Sequence, residues 1–221
     1  MYLDSPTIAL RIERYLARLM KKRKLPESAP GSGDCVLVLS GLLTARLGST
    51  HFSRVDDAGP LELIWSHQLR LAIQCAPVTA WLAPYLPATD PACRTLAGTS
   101  FPIMKKSDRV LVAMPAKELE QKVRAEVHPL VDAALAAAEG VLDELRQVET
   151  LEQLCDRLHD AGRAWEIDFH PAVALAALTR GPAAAIEAGM RDIEARKDRG
   201  APERVTAPWE EFVRGLRGQL H

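Results

Sequence analysis

A run of basic side chains near the start of the chain has the spacing to present positive charge on one face of a helix. Its members recur three or four residues apart and are Arg11, Arg14, Arg18, Lys21 and Lys22. Such a face can attract an acidic protein surface, follow the phosphates of a nucleic acid, or simply be solvated. Tyr15 falls among the apolar positions, so no aromatic side chain interleaves with the basic ones for base stacking. Of the two kinds of partner, the acidic protein is therefore favoured.

A second cluster brings carboxylates and an imidazole together around residue 168. Glu166, Asp168 and His170 stand at alternate positions, which share one face of an extended segment. Such a cluster can hold Zn²⁺ or a hard metal ion, or supply the acid and base of a hydrolase. The spacing matches no HExxH or similar ligand motif. Asp168 and His170 also precede Pro171, so capping of the next helix is the alternative.

The cysteines are candidates for a thiol nucleophile or a zinc site. Cys35 or Cys75 can pair with His51 or His67 as nucleophile and base. A zinc site would need Cys75 and Cys93 to meet both histidines, and their spacing is not diagnostic. No two cysteines form a CxxC pair, and reduced, structural thiols are expected in a chain without an export signal. We therefore predict no catalytic residue, no metal site and no cofactor.

Two segments match catalytic or nucleotide-binding loops only in part. The glycine-containing residues 29–34 precede an apolar run, whereas a phosphate-cradling loop follows a strand and usually carries Lys-Ser or Lys-Thr. Ser40 follows that apolar run but lacks the flanking glycines of a nucleophile elbow. We interpret 29–34 as a linker and assign no catalytic role to Ser40.

Trp81 is a further candidate for contact with a partner. It lies in a proline-rich connection and is expected to be exposed. Because an exposed tryptophan is often a binding hot spot, we predict Trp81 as a partner-binding residue together with the basic set above.

The composition is that of a globular chain with unevenly distributed charge. Of the 221 residues, 48% are hydrophobic and 26% are charged, and the net charge of −1 argues against a polycation. Residues 1–24 carry a net charge of about +5, so the remainder carries about −6, an asymmetry typical of chains that bind an acidic partner or a nucleic acid. No apolar stretch is long enough to span a membrane, and the first residues lack the pattern of a signal peptide. We therefore expect a cytoplasmic protein without membrane association.

The first half of the chain combines one helix with short strands. An initial Ser-Pro pair and apolar residues at helical spacing predict a helix over residues 6–24. Period-two alternation then predicts a small antiparallel sheet, although 42–47 can also be helical. Residues 76–102 hold five prolines and are expected to be irregular, with a short helix at 79–86. The predicted strands are 35–39, 51–55, 61–65, 69–75 and 109–114.

The second half is predicted to be helical. Apolar residues stepping by threes and fours between 123 and 148 predict one long helix, which Pro129 kinks or restarts. Thr150 and Gln153 match a capping box. The long apolar seam favours a homodimer. Further helices are predicted at residues 171–180 and 183–198, which form a hairpin, and from Thr206 and Pro208 onward.

The order of these elements indicates the fold class. Strands first and helices afterwards are typical of α+β proteins. We predict an N-terminal helix on a small antiparallel sheet, followed by an all-helical C-terminal subdomain. Residues 1–115 would form the α+β subdomain and residues 116–221 the helical one.

Four short segments and this order of elements also carry a family resemblance. They are His51-Phe-Ser-Arg54, Leu61-Glu-Leu-Ile-Trp65, Leu69-Arg-Leu-Ala-Ile73 and Ala177-Leu-Thr-Arg-Gly-Pro-Ala-Ala-Ala-Ile186. The layout resembles immunity proteins of bacterial polymorphic toxin systems over about residues 60–180, without a catalytic signature. The resemblance implies a non-enzymatic cytoplasmic protein that binds and blocks a partner toxin. It carries over no functional residue, because such proteins bind through variable surfaces.

The leading hypothesis is therefore a protein-binding module, of the kind that inhibits a partner toxin. Its basis in the residues is the absence of any complete catalytic constellation. A nucleic-acid-associated factor that uses helix 6–24 is one alternative. A hydrolase or metal enzyme built around Asp168 and His170 is the other.

Overall fold

The computed structural model describes residues 5–26, 34–56, 62–87, 90, 95–107, 120–121, 123–160 and 164–218. An N-terminal helix, a five-stranded antiparallel sheet and a helical C-terminal part confirm the predicted α+β class. The helices are α1 (Ser5–Lys22), α2 (Ala76–Leu82), α3 (His128–Arg146), α4 (Leu151–His159), α5 (Phe169–Arg180), α6 (Pro182–Asp198) and α7 (Glu203–Gly218). The strands are β1 (Cys35–Val38), β2 (Leu43–Asp56), β3 (Glu62–Cys75), β4 (Ala97–Ser107) and β5 (Glu166–Ile167). Among the described residues, no helix has the length and apolar character to cross a membrane.

The strands lie side by side in chain order, from β1 to β5. The short β5 pairs antiparallel with β4, where Ala97 is opposite Ile167. Along β3, Leu69 and Leu71 are buried, whereas Arg70 between them is exposed. This alternation is that of a sheet with one covered face.

The structure corrects two expectations about the strands. Residues 42–47 are not helical, because Leu43 begins β2. The segment from residue 97 onward, expected to be irregular because of its prolines, forms β4. Residues 96–99 are all buried, so this strand lacks the alternation that marks a half-exposed strand. The strand predicted at 109–114 lies outside the described residues.

An apolar stripe holds α1 in place. Ile12, Leu16 and Met20 step by four residues and are fully buried. The helix ends in a Schellman motif, in which Lys24 adopts a left-handed conformation with φ of 58°. The N–H of Leu25 donates to the carbonyl of Met20 at 2.9 Å and closes the motif. The helix therefore ends two residues earlier than predicted.

A proline sets the start of α3. Within the segment 123–148, Val123–Val127 form a π-helical turn and the α-helix begins at His128. Pro129 has no N–H to donate to the carbonyl four residues before it, so the hydrogen-bond pattern changes here. The predicted restart at Pro129 is confirmed.

Most of the C-terminal helices begin and end near their predicted signals. Thr150 Oγ1 accepts from the N–H of Gln153 at 3.2 Å, and Gln153 Oε1 accepts from the N–H of Thr150 at 3.3 Å, which confirms the capping box. Gly181, with φ of 91°, separates α5 from α6 as predicted. The last helix starts at Glu203, earlier than predicted, and keeps its proline inside. Thr206 does not cap it, because its buried hydroxyl donates back to the Glu203 carbonyl at 3.4 Å.

The chain divides into two compact units. Unit 1 comprises Met1–Val38, Ala45–Leu71 and Thr99–Glu144, and unit 2 comprises Leu39–Thr44, Ala72–Gly98 and Leu145–His221. The division cuts across β2, β3 and β4, so neither unit is one contiguous stretch. The boundary predicted at residue 115 lies outside the described residues. The prediction assigned α3 to the helical subdomain, whereas α3 belongs to unit 1 as far as Glu144.

In unit 2, α5 and α6 pack together as the predicted hairpin and α7 packs on α6. A Cβ at Gly189 would lie 2.8 Å from Val213 Cγ2 and 3.2 Å from Val173 Cγ2. The missing side chain at Gly189 therefore allows the three helices to approach closely. The surrounding core includes Phe169, Val173, Ala185, Ile186, Ile193, Val213 and Leu216.

Gly189→Ala is expected to destabilise the protein by about 1–3 kcal/mol, because the added methyl group overlaps Val213 in a packed core. Gly140→Ala is the matched control. Gly140 lies exposed in α3 with no atom within 4 Å of the added Cβ, so alanine should stabilise the helix by about 0.5–1 kcal/mol. Urea unfolding followed by circular dichroism measures both changes. Equal stability of Gly189→Ala and the wild type would contradict the tight packing at this position.

Candidate anion-binding site

Unit 1 contains a recess whose lining is dominated by arginine. It has a volume of about 260 Å³ and lies between α1 and the segment that leads into α3. We call it the arginine recess. Its eight lining residues are Arg11, Arg14, Tyr15, Arg18, Glu120, Val123, Arg124 and His128.

A cavity of similar size in unit 2 differs in its charge. It has a volume of about 270 Å³ and lies between α6 and α7. Its charged residues have both signs, and Lys197 forms an ion pair with Glu210. A lining of mixed charge has little preference for an ion of one sign. The arginine recess is therefore the stronger candidate for a binding site.

One wall of the recess comes from α1, whose basic and apolar residues occupy different faces. Arg11, Arg14 and Arg18 step by three and four residues along the helix. The buried Ile12 and Leu16 anchor the other face. Because a helix rises about 1.5 Å per residue, the first and last of these arginines start about 10 Å apart along the axis. Long side chains can converge on one ligand over that distance.

The opposite wall comes from the π-helical turn and the residues just before it. Val123 and Val127 are buried and anchor the turn, whereas Arg124 between them is exposed. Glu120 pairs with Arg124 across one turn, with 3.5 Å between Oε1 and Nη2. Among the eight lining residues, Glu120 supplies the single carboxylate. It offsets one of the four guanidinium charges.

Helices α1 and α3 are in direct contact through side chains that include two lining residues of the recess, Tyr15 and His128. The rings of Tyr15 and His128 stack with centroids 3.5 Å apart and planes 3° apart. The Tyr15 hydroxyl donates to Asp132 Oδ2 at 2.9 Å, and Arg23 forms an ion pair with Glu139. The two partners are 117 residues apart in the first pair and 116 in the second. This constant offset shows that α1 and α3 run parallel.

Burial and nearby positive charge favour the neutral form of His128. Its pKa is lowered chiefly by burial, which disfavours the imidazolium, and next by Arg124. Asp132 opposes this shift and Arg18 adds to it. Burial and the hydrogen bond to Asp132 raise the pKa of Tyr15. At neutral pH the lining residues, four arginines and one glutamate, therefore carry a net charge of about +3.

This arrangement is suited to bind an oxyanion. A guanidinium offers a planar fork of N–H donors that matches a carboxylate or a phosphate. The hydroxyl of Tyr15 already donates to Asp132, so the arginines supply the donors for a ligand. The recess thus combines positive charge, directional donors and a concave shape.

Three of the six residues predicted to bind a partner line the recess. Arg11, Arg14 and Arg18 line the recess together. Lys21 and Lys22 are exposed at the C-terminal end of α1 and are not among the lining residues. Their contact with a partner stays a prediction, as does the homodimer.

The half of the recess that comes from the π-helical turn was not predicted from the sequence. The apolar spacing of 123–148 placed Val123 and Val127 inside, which leaves Arg124 between them outside. That spacing identifies Arg124 as exposed but does not show that it lies next to α1. No local pattern connects this turn with α1, more than a hundred residues earlier.

Trp81 is partly buried, so its expected exposure is wrong. Its ring lies 5.0 Å from that of Tyr85 and 6.5 Å, edge-on, from that of Phe212. The proline-rich connection begins with α2, whose buried residues are Val78 and Leu82, and this helix packs on α5 within unit 2. The indole therefore packs at the margin of a core. A role for Trp81 in partner binding stays a prediction.

Asp168 and His170 lie at the start of α5. Asp168 occupies the N-cap position but its side chain makes no capping hydrogen bond. The His170 ring packs edge-on against Phe212 at 4.7 Å, and burial lowers its pKa against the opposing charges of Asp90 and Asp168. Within the described ranges, no three His, Cys, Asp or Glu side chains are grouped to hold a metal ion. His170 thus has the contacts of an aromatic core residue.

The described thiols are poor nucleophiles. Burial raises the pKa of Cys35 to about 11 and also raises that of Cys75, so both stay protonated. Cys155 Sγ lies 3.6 Å from His159 Nδ1, a contact that the sequence analysis did not propose. That nitrogen donates to the Cys155 carbonyl at 2.7 Å, and burial raises the pKa of the thiol. The pair is therefore not an activated nucleophile.

The remaining candidate nucleophile has a structural contact. Ser40 Oγ accepts from the N–H groups of Leu42 and Leu43, each at 3.2 Å, and so shapes the turn before β2. Cys93 and the side chain of His51 lie outside the described residues.

Comparisons with known proteins assign no family to the chain. Neither the models of protein families, nor the curated proteins, nor the solved structures contain a match. The geometry of the recess is thus the main evidence on function.

Acid is expected to destabilise the protein partly through His128. Because its pKa is lower in the folded chain than the value of about 6.5 in the unfolded chain, the unfolded chain takes up the proton first. The contribution of His128 to the free energy of unfolding is therefore fully present above about pH 6.5 and is lost as the pH decreases below that value. In His128→Gln, the urea midpoint should change less between about pH 7.5 and about pH 5.5 than in the wild type.

The second described histidine with a lowered pKa provides the comparison. His170→Gln should remove a separate part of the acid sensitivity, since burial lowers the pKa of His170 within unit 2. Equal midpoint changes in His128→Gln and the wild type would contradict a lowered pKa of the partly buried His128.

Proposed function

We propose that the chain is a non-catalytic cytoplasmic module that recognises an acidic protein surface through the arginine recess. The observation that carries this proposal is the gathering of four arginines and one glutamate around a single concave site. Guanidinium groups pair with carboxylates in a bidentate geometry. Complementary charge also accelerates the encounter of two proteins and orients it.

The shape of the site favours a protein over a nucleic acid. A nucleic acid presents a long row of phosphates, which a binding protein follows with many separate contacts, whereas the recess concentrates its arginines in one place. One face of the Tyr15 ring is stacked on His128, so that face is not free for a base. The net charge of −1 also gives the whole chain little long-range attraction for a polyanion. A single acidic projection on a protein surface suits the recess better.

The resemblance to immunity proteins supports a narrower form of this proposal. In that form the acidic surface belongs to a toxin, and the module blocks the toxin by covering it. Such a role needs rapid, charge-steered association and no catalytic group.

Affinity capture with a charge-reversed recess tests the proposal. The wild-type chain should retain a protein partner from a lysate of its own cells after nuclease treatment. Arg11→Glu/Arg18→Glu should lose that partner, because two attractive contacts become repulsive. With the purified pair, the affinity should fall by about tenfold or more and should decrease as salt increases.

Arg157→Glu/Arg204→Glu is the matched control, since it changes the net charge equally at exposed helical positions of unit 2. This variant should retain the partner. Retention by the recess variant would contradict the proposal and point to another surface. Loss of all binding on nuclease treatment would favour the nucleic-acid alternative.

A further inference from the structure

We propose that the arginine recess binds the dianionic phosphate of a phosphomonoester, carried by a phosphorylated serine or threonine of the partner. This inference rests on the proposed function and narrows its ligand. It draws on the charge, the donors and the size of the recess.

The charge of the recess matches a dianion better than a monoanion. The four arginines and Glu120 carry about +3 together. An aspartate or glutamate of a partner supplies −1, whereas a phosphomonoester supplies about −1.5 to −2 at neutral pH. The phosphate therefore neutralises half or more of the positive charge, whereas one carboxylate neutralises about a third.

The recess also offers more guanidinium N–H donors than the two oxygens of one carboxylate can accept from. Glu120 engages Arg124 through a single contact of 3.5 Å. In the described part of the chain, no carboxylate forms an ion pair with Arg11, Arg14 or Arg18. Each guanidinium carries five N–H donors. A carboxylate has two oxygens and satisfies one guanidinium fork, whereas the three terminal oxygens of a phosphate accept from several forks at once.

The size of the recess limits what the phosphate is attached to. Its volume of about 260 Å³ is close to the lower end of the range of about 300–1,000 Å³ of sites that bury drug-sized ligands. A phosphate on a short aliphatic link fits this space.

Binding of three probes tests the inference. They are a neutral peptide with one phosphoserine, the same peptide with glutamate in its place, and inorganic phosphate. Titration calorimetry should show that the phosphopeptide binds about tenfold or more tightly than the glutamate peptide. The ring resonances of His128, assigned with His128→Gln, should move during the phosphopeptide titration, because His128 lines the recess.

Substitution of two recess arginines should weaken binding selectively. Arg14→Gln/Arg18→Gln should lower the affinity for the phosphopeptide by about tenfold or more, because two charge-assisted contacts are lost. Arg157→Gln/Arg204→Gln, which removes the same charge from exposed positions in unit 2, should leave the affinity unchanged. Circular dichroism and urea midpoints verify that each variant is folded.

Equal affinity for the two peptides, or His128 resonances that do not respond, would overturn the inference. Inorganic phosphate that binds as tightly as the phosphopeptide would support the phosphate site but reject a peptide as the carrier. The proposed function fails separately. It stands if the captured partner depends on Arg11 and Arg18 without phosphate selectivity, and it fails if no captured protein depends on them.

Discussion

The contact between α1 and α3 is the constraint on which the candidate site depends. The arginines of α1 line a recess only because a second segment, the π-helical turn with the start of α3, forms the opposite wall. Three interactions fix that segment: the stack of Tyr15 on His128, the hydrogen bond from Tyr15 to Asp132 and the ion pair of Arg23 with Glu139. A slip of one helical turn, about 5.4 Å, would break all three and separate the two walls.

The recess is electrostatically unfavourable for the fold that carries it. Four guanidinium groups repel one another, and Glu120 offsets only one of them. A protonated His128 would add to the repulsion, so its lowered pKa reduces the cost. The apolar stripe of α1 holds the helix in place despite this repulsion. A local cost that the rest of a structure offsets is typical of a functional site.

How far the sequence predicts this structure depends on how local each signal is. The helix at the N-terminus, the capping box at Thr150 and the hairpin around Gly181 were predictable, because a few neighbouring residues encode each of them. The strand β4 was not, since residues 96–99 are all buried and show no alternation. The partial burial of Trp81 was not predicted, because its neighbours in the chain do not show which core its ring packs against. Half of the recess was predictable from the spacing of basic residues on α1. The other half was not, because more than a hundred residues of sequence separate it from α1.

The parallel pairing of α1 with α3 also determines when the site comes into existence during biosynthesis. Arg23 is synthesised 116 residues before Glu139. At about 5–20 residues per second, the ribosome needs about 6–23 s to cover that distance. During this interval strands β1 to β4 are synthesised before α3, so the arginines of α1 still lack the second wall of the recess. The recess can therefore form only after synthesis has reached α3, so the candidate site arises late in translation.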